Sequence, residues 1–289
     1  MRRLSKPIRA VLIIGILAAT VAAFVWYFAK HPEVGHQLSH TSPGLLLALV
    51  GLYIAAVSCV GLILKATLVL CRVTIPVRES LLVTMYSSII NFFGPLQSGP
   101  AFRAVYLKRR HGVELKKFSL ATLAYYFFYG AFSVALLFSS VLGWWLVPLA
   151  LLGIGTLWVL FKGKLKFVQR FRMLNLTGLG YLGLATLLQL FVTVIIFYFE
   201  LHSLNPHVHF SQAVVYAGAA NLALFVSITP GAIGFRESFL LFSQHLHHIS
   251  NTDIVAANVI DRSVYIVMLL ILLVGILATH AERRLRSSN

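Results

Sequence analysis

The chain is 289 residues long, 59% hydrophobic and only 11% charged, with a formal net charge of +16. That balance excludes an ordinary soluble domain, and the charges fall in short clusters between long apolar runs, as they do around membrane-embedded helices. Membrane orientation and anionic headgroups account for the basic excess, so membrane phospholipids and no nucleic acid are the expected partners.

From the N-terminus, Arg2, Arg3, Lys6 and Arg9 surround the start of an apolar run over 8–29. The run is longer than the core of a signal peptide and no small-x-small cleavage site follows it, so an uncleaved first helix is expected. Residues 30–43 carry one Lys and three His and form an outer segment, after which a second run spans 44–70. Cys59 and Cys71, the two cysteines, lie at or near that helix and make neither a disulfide framework nor a metal knuckle. Runs over 118–140 and 144–161 are separated by a short outer turn near Gly143 and lead to Lys162, Lys164, Lys166, Arg170 and Arg172. A run over 178–199 is followed by a segment, 202–209, without Lys or Arg, and a last run over 255–279 ends in Arg283, Arg284 and Arg286. Each run is long enough to cross a hydrocarbon core of about 30 Å. The basic clusters place both termini in the cytoplasm, in a multi-pass protein of the cell (inner) membrane.

Two further apolar stretches, 80–102 and 211–246, are interrupted by Gly and Pro. Arg72 and Arg78 precede the first, and Arg103, Lys108, Arg109, Arg110, Lys116 and Lys117 follow it. Both flanks are therefore cytoplasmic, and the stretch enters the membrane and returns. The second is flanked by 202–209 and 247–253, both free of Lys and Arg, and reads as re-entrant from the outside. The first contains Pro95-Leu96-Gln97-Ser98-Gly99 and reaches Phe102-Arg103; the second contains Pro230-Gly231-Ala232-Ile233-Gly234 and reaches Phe235-Arg236. Entry from opposite sides with one shared pattern is what an inverted-topology repeat produces, with a substrate site near the midplane. Pro95, Gly99, Pro230, Gly231 and Gly234 are the structural residues of these hairpins, because a chain reversing inside a bilayer must leave helical geometry. The expected fold is all-α. It is a single integral membrane domain over 1–289 with about six spans and two re-entrant helical hairpins, repeat 1 covering about 44–161 and repeat 2 about 178–279.

An ionisable side chain inside a membrane segment is a functional candidate, because burying it unpaired is expensive. Arg103 and Arg236 end the two hairpins, and a guanidinium binds a phosphodiester through two parallel hydrogen bonds. The plain alternative is that both snorkel to the headgroup region. Glu237, Asp261 and Arg262 complete the candidate constellation, with a buried ion-pair network around Arg236 as its structural reading. Asn91 joins them as a substrate-binding candidate, although helix–helix hydrogen bonding explains it, Gln189, Asn221 and Asn258 equally well. Nine histidines, His31, His36, His40, His202, His207, His209, His245, His247 and His248, fall in outer segments. They read as solvated loop residues or pH-responsive groups, since neither cysteine nor carboxylate completes a zinc site among them. No catalytic triad, carboxylate pair or phosphate loop is recognisable, so no enzyme activity, cofactor or metal is expected.

Two windows resemble the lysylphosphatidylglycerol synthase transmembrane region, the flippase-like half of the multiple-peptide-resistance proteins. The first is Asn91-x-x-Gly94 through Gly99 and Arg103 to Tyr106, followed by the basic loop 108–117. The second is Pro230-Gly231-Ala232-Ile233-Gly234-Phe235-Arg236-Glu237, similar to the family's Pro-Gly-Gly-x-Gly-x-x-Glu. Pro100 stands where many members carry an acidic residue, which leaves Arg103 without an acid in its own hairpin. No aminoacyl-transferase domain follows Arg286, so the resemblance implies translocation of an anionic or aminoacylated phospholipid, or a related lipid-linked headgroup, and not its synthesis. Two cytoplasmic- and outer-side cavities are then expected to face each other, with Arg103 and Arg236 receiving the phosphate. A secondary transporter of a small soluble anion, and a non-catalytic partner of a lipid-modifying enzyme, are the alternatives. A homo-oligomer is compatible with each.

Overall fold

The computed structural model describes residues 29–30, 42–93, 98–142, 176–226 and 235–288. Ten helices order the described chain: α1 (Pro43–Leu70), α2 (Val77–Phe93), α3 (Ser98–His111), α4 (Leu115–Leu137), α5 (Ser139–Leu142), α6 (Leu176–Leu204), α7 (Phe210–Val226), α8 (Phe235–Phe242), α9 (Gln244–His247) and α10 (Asn251–Ser288). There is no strand among the described residues, and the protein is an all-α membrane protein. Four helical segments are long and apolar enough to cross a membrane: Pro43–Leu70, Leu115–Leu137, Thr177–Leu204 and Asn251–Thr279. They correspond to four of the six spans read from hydropathy; the runs 8–29 and 144–161 lie outside the described residues.

Local chemistry sets the helix starts. Ser42 caps α1, its hydroxyl accepting from the Leu45 N–H at 3.4 Å, and Pro43 occupies the first helical position, where its missing N–H costs nothing. The spans α1 and α6 pack along each other, as do α4 and α7, and α10 packs on α1, α2 and α6. Lipid is as apolar as leucine, so close packing and hydrogen bonds, not burial from water, hold such helices together. The 17-residue α7 shows this most clearly. Its Ala213, Val214, Val215, Tyr216, Ala217, Ala219 and Ala220 are all buried, as a helix apolar around its whole circumference should be. Small residues let it touch α4. A Cβ on Gly218 would stand 2.3 Å from the Leu137 backbone nitrogen.

The first broken stretch is an antiparallel helical hairpin. At its tip the Ser98 hydroxyl donates to the Ile90 carbonyl at 2.9 Å, and the Gly99 N–H donates to Asn91 Oδ1 at 3.2 Å. A Cβ at Gly99 would come within 2.6 Å of the Ser87 carbonyl oxygen, so the returning helix can start there only on glycine. Pro95 lies outside the described residues. At the open end Glu79 gathers three partners from α3: Tyr106 O–H at 2.5 Å, Arg110 Nε at 2.8 Å and His111 Nε2 at 2.9 Å. Contacts of 98 with 90 and of 106 with 79 bring both ends of the hairpin to one side. Burial alone would raise the Glu79 carboxyl, but hydrogen bonds from Tyr106 and His111 and the nearby charges hold it below the usual range.

The second broken stretch also closes on itself. Gln212, early in α7, donates to the carbonyls of His247 and His248 at 3.1 and 3.4 Å, and the Tyr216 ring meets the His247 ring at 5.4 Å. Its turn, with Pro230, Gly231 and Gly234, lies outside the described residues. The return leg consists of two short helices, α8 and α9. His247 departs from the expectation of a solvated loop. It is fully buried, its Nε2 donates to the Leu240 carbonyl at 3.1 Å, and its Nδ1 accepts from the Ile249 N–H at 3.2 Å. Both ring nitrogens are thereby used, and burial lowers its basicity. His202, His207, His209, His245 and His248 are exposed, and no His/Cys/Asp/Glu group among the described residues could hold a metal.

Two outcomes follow. Gly218→Ala forces α7 off α4 and should cost about 1–3 kcal/mol by overpacking, read as a lowered melting temperature in detergent. Gly51→Ala, which meets nothing within 4 Å, should leave that temperature close to wild type. Glu79 has a folded-state value depressed below its unfolded one, so its stabilisation is present above the ordinary Glu value of about 4.3 and is lost as pH falls through the folded value. Melting temperatures measured down that pH range should fall in wild type and change less in Glu79→Gln.

Candidate functional site

Eight helices, α1–α4, α6–α8 and α10, contribute to a cavity of about 280 Å³ whose wall includes Arg103, Arg236, Asp261, Arg262 and Asn91. The two hairpin arginines, expected in two facing cavities, line one shared cavity. They stand near the start of the returning helices, Arg103 as the sixth residue of α3 and Arg236 as the second of α8, so the closure of both hairpins is what delivers them to the same space.

Their surroundings differ. Arg236 Nη1 lies 2.5 Å from Asp261 Oδ2, and its guanidinium sits over the Phe197 ring, 5.0 Å from the centroid. The ion pair is largely enclosed, with 12% and 9% of the two side chains exposed. One residue farther along both helices, Arg262 pairs with Glu237 through Nη2 and, at 3.1 Å, through Nε. Pairs 236–261 and 237–262 therefore bolt α8 to α10 side by side. Arg103 has no such partner among the described residues. Its Nε is buried with no hydrogen bond among the described residues, and its neighbours are the hydroxyl-bearing rings of Tyr125 and Tyr126.

Hydrogen bonds between helices fix the rest of the wall. Tyr125 O–H donates to Gln189 Oε1 at 3.2 Å and Tyr129 O–H to Asn221 Oδ1 at 2.8 Å, so Gln189 and Asn221 do join helices. Asn258 instead donates back to the Ile254 carbonyl of its own helix at 2.8 Å. Asn91 faces the cavity but spends its Oδ1 on the hairpin tip. Cys59 and Cys71 are free and buried.

The sequence reading missed the acid behind the Tyr53 wall of the site. Glu200, on α6, is 0% exposed; Oε1 lies 3.2 Å from the Tyr53 hydroxyl, and Oε2 has no partner among the described residues. The same Tyr53 hydroxyl is hydrogen-bonded to Asp261 Oδ1. A hydropathy window that closes at 199 stops one residue short of this carboxyl. The signal was there, because the helix runs on to Leu204 and an acid three to four residues inside a span is rare.

A family model for the lysylphosphatidylglycerol synthase TM region matches residues 11–273, and the chain belongs to that family. No curated protein and no solved structure matches it. Membership supports a membrane protein whose business is with lipid.

Arg236→Ala strands the buried Asp261 and should destabilise the protein by about 3–5 kcal/mol. Arg236→Ala combined with Asp261→Asn should recover part of that loss. Denaturation of the single and double variants in detergent measures the coupling, and purely additive effects would show that the pair does not hold α8 on α10.

Proposed function

We propose that this member of the lysylphosphatidylglycerol synthase TM region family is a flippase-like carrier in the cell membrane. It moves an anionic or aminoacylated phospholipid, or a related lipid-linked headgroup, between leaflets. The observation that carries the reading is Arg103, a cavity guanidinium whose Nε is buried without a hydrogen bond among the described residues, while Arg236 and Arg262 are each held by a carboxylate. A headgroup phosphate would complete it with charge-assisted hydrogen bonds. The acyl chains would stay in the surrounding lipid, so the protein needs room for a headgroup only, and a cavity of about 280 Å³ is of that order. With both termini cytoplasmic, the first hairpin opens toward the cytoplasm and the second toward the outside. The two arginines on the same cavity then belong to opposite access routes.

Vesicles of phosphatidylcholine and phosphatidylglycerol containing a fluorescent phosphatidylglycerol test this. Losing one charge-assisted hydrogen-bonding group is worth about 1.5–3 kcal/mol, so Arg103→Ala should slow translocation roughly ten- to a hundredfold. Arg103→Lys, which keeps the charge without the planar fork, should fall between. Wild-type rates in Arg103→Ala would remove the headgroup site. Uptake of labelled inorganic phosphate without lipid movement would replace the lipid by a soluble anion.

A further inference from the structure

The contacts of Tyr53 pose a counting problem. A phenol has one O–H hydrogen, yet this oxygen is hydrogen-bonded to Asp261 Oδ1 and lies 3.2 Å from Glu200 Oε1. The hydrogen can serve one carboxyl only. The other contact is attractive only when the second carboxyl carries a proton of its own and donates it to the phenolic oxygen. Asp261 is not that carboxyl, because its Oδ2 already faces the Arg236 guanidinium at 2.5 Å. Glu200 remains. Its Oε2 reinforces the assignment: an ionised Glu200 would leave a charged oxygen buried and without a donor among the described residues, whereas a protonated one leaves a neutral carbonyl there.

We propose that Glu200 is a proton-binding site, and that proton binding there and anion binding in the cavity favour each other. The chain runs from the Glu200 O–H to Tyr53, from the Tyr53 O–H to Asp261, and from Asp261 to Arg236, which lines the cavity. Among the described residues, Glu200 is faced by Tyr53 from α1, Asp261 from α10, Arg236 from α8 and Tyr216 from α7, while Tyr265 of α10 faces Asp261 and Tyr129 of α4 faces Arg236 across the cavity. With Glu200 neutral, Arg236 answers to one carboxylate, and its buried Nε, without a hydrogen bond among the described residues, leaves a donor in reserve. With Glu200 ionised, two carboxylates share that one guanidinium and hold it away from an incoming phosphate. A proton on Glu200 therefore strengthens anion binding, and by linkage a bound anion strengthens proton binding. The site would let a proton gradient drive headgroup movement. This linkage rests on the anionic-headgroup reading; the proton on Glu200 does not.

Two measurements separate them. Infrared spectra of the purified protein at neutral pH, in a maltoside detergent that has no carbonyl, should contain a protonated-carboxyl band that Glu200→Gln removes and Asp261→Asn keeps. A band unchanged in Glu200→Gln overturns the proton site. Binding of short-chain phosphatidylglycerol should be several-fold tighter at pH 6 than at pH 8 in the wild type and independent of pH in Glu200→Gln, whose amide imitates the protonated acid. Equal affinity at both pH values in wild type, with the band present, overturns the linkage. A band present with no lipid bound at either pH overturns the headgroup reading and the linkage with it, and leaves Glu200 as a structural proton.

Discussion

A guanidinium in the middle of a helical bundle must be given an anion or a dipole, because hydrocarbon offers it neither and the desolvation cost runs to several kcal/mol per ion. The whole cavity is organised by how that requirement is met at Arg236. Asp261 supplies the charge, Phe197 the π-face, and Tyr53 ties Asp261 to Glu200 across three helices. Four elements thus depend on one ion pair. The α8 helix has only eight residues and follows a glycine-containing sequence, Gly231-Ala232-Ile233-Gly234, so without its bonds to α10 it would have little to set its position. The neighbouring Glu237–Arg262 pair repeats the bond one residue along and fixes rotation as well as distance.

The hairpins meet the companion constraint, that backbone groups freed by a reversal must find partners within the protein. In the first, side chains two turns apart in sequence do this: Asn91 receives the Gly99 N–H and Ser98 returns a bond to the Ile90 carbonyl. The absence of a side chain at Gly99 then lets α3 start directly against α2, and Arg103 follows one turn later on the face toward the cavity. In the second hairpin the role passes to Gln212 and His247 at the open end, both bonded to backbone. Motif glycines and prolines are therefore positioning devices. Their effect is felt at the arginine that follows them.

Much of this was legible in the sequence, and the reason is the membrane itself. Hydropathy, charge asymmetry and Pro/Gly interruptions report lipid exposure directly, so the spans at 44–70, 118–140, 178–199 and 255–279 correspond to α1, α4, α6 and α10 to within a few residues at most ends. The partnership of Arg236 with Asp261 was also readable, since each needs an opposite charge and the supply inside spans is small. What sequence could not give is which groups share a space. Nothing in the order of residues says that Arg103 and Arg236 line one cavity, that Tyr53 reaches an acid 208 positions away, or that Arg103 stands beside phenols in place of a carboxylate. Glu200 was lost for a simpler reason: a window that ends at the last apolar residue discards the polar one just inside the helix end. His247 was lost because a loop histidine and a buried one look alike until a neighbouring carbonyl is placed against the ring.

The distinction between the two hairpin arginines is where fold and function meet. Three guanidinium groups, Arg103, Arg236 and Arg262, surround the cavity, and Asp261 and Glu237 neutralise two of them. Whether the site as a whole carries a spare positive charge is then decided by Glu200. Among the described residues, a protonated Glu200 leaves one uncompensated cation, at Arg103, and a single phosphate restores neutrality. An ionised Glu200 balances the charges without any ligand, although its carboxylate lies behind Tyr53 rather than beside Arg103. A bundle built this way favours two states, proton with anion or neither, because each of the mixed states leaves a net charge in a low dielectric. That preference is the thermodynamic requirement for coupling one species to another, and it arises here from one carboxyl more than the arginines of α8 and α10 require.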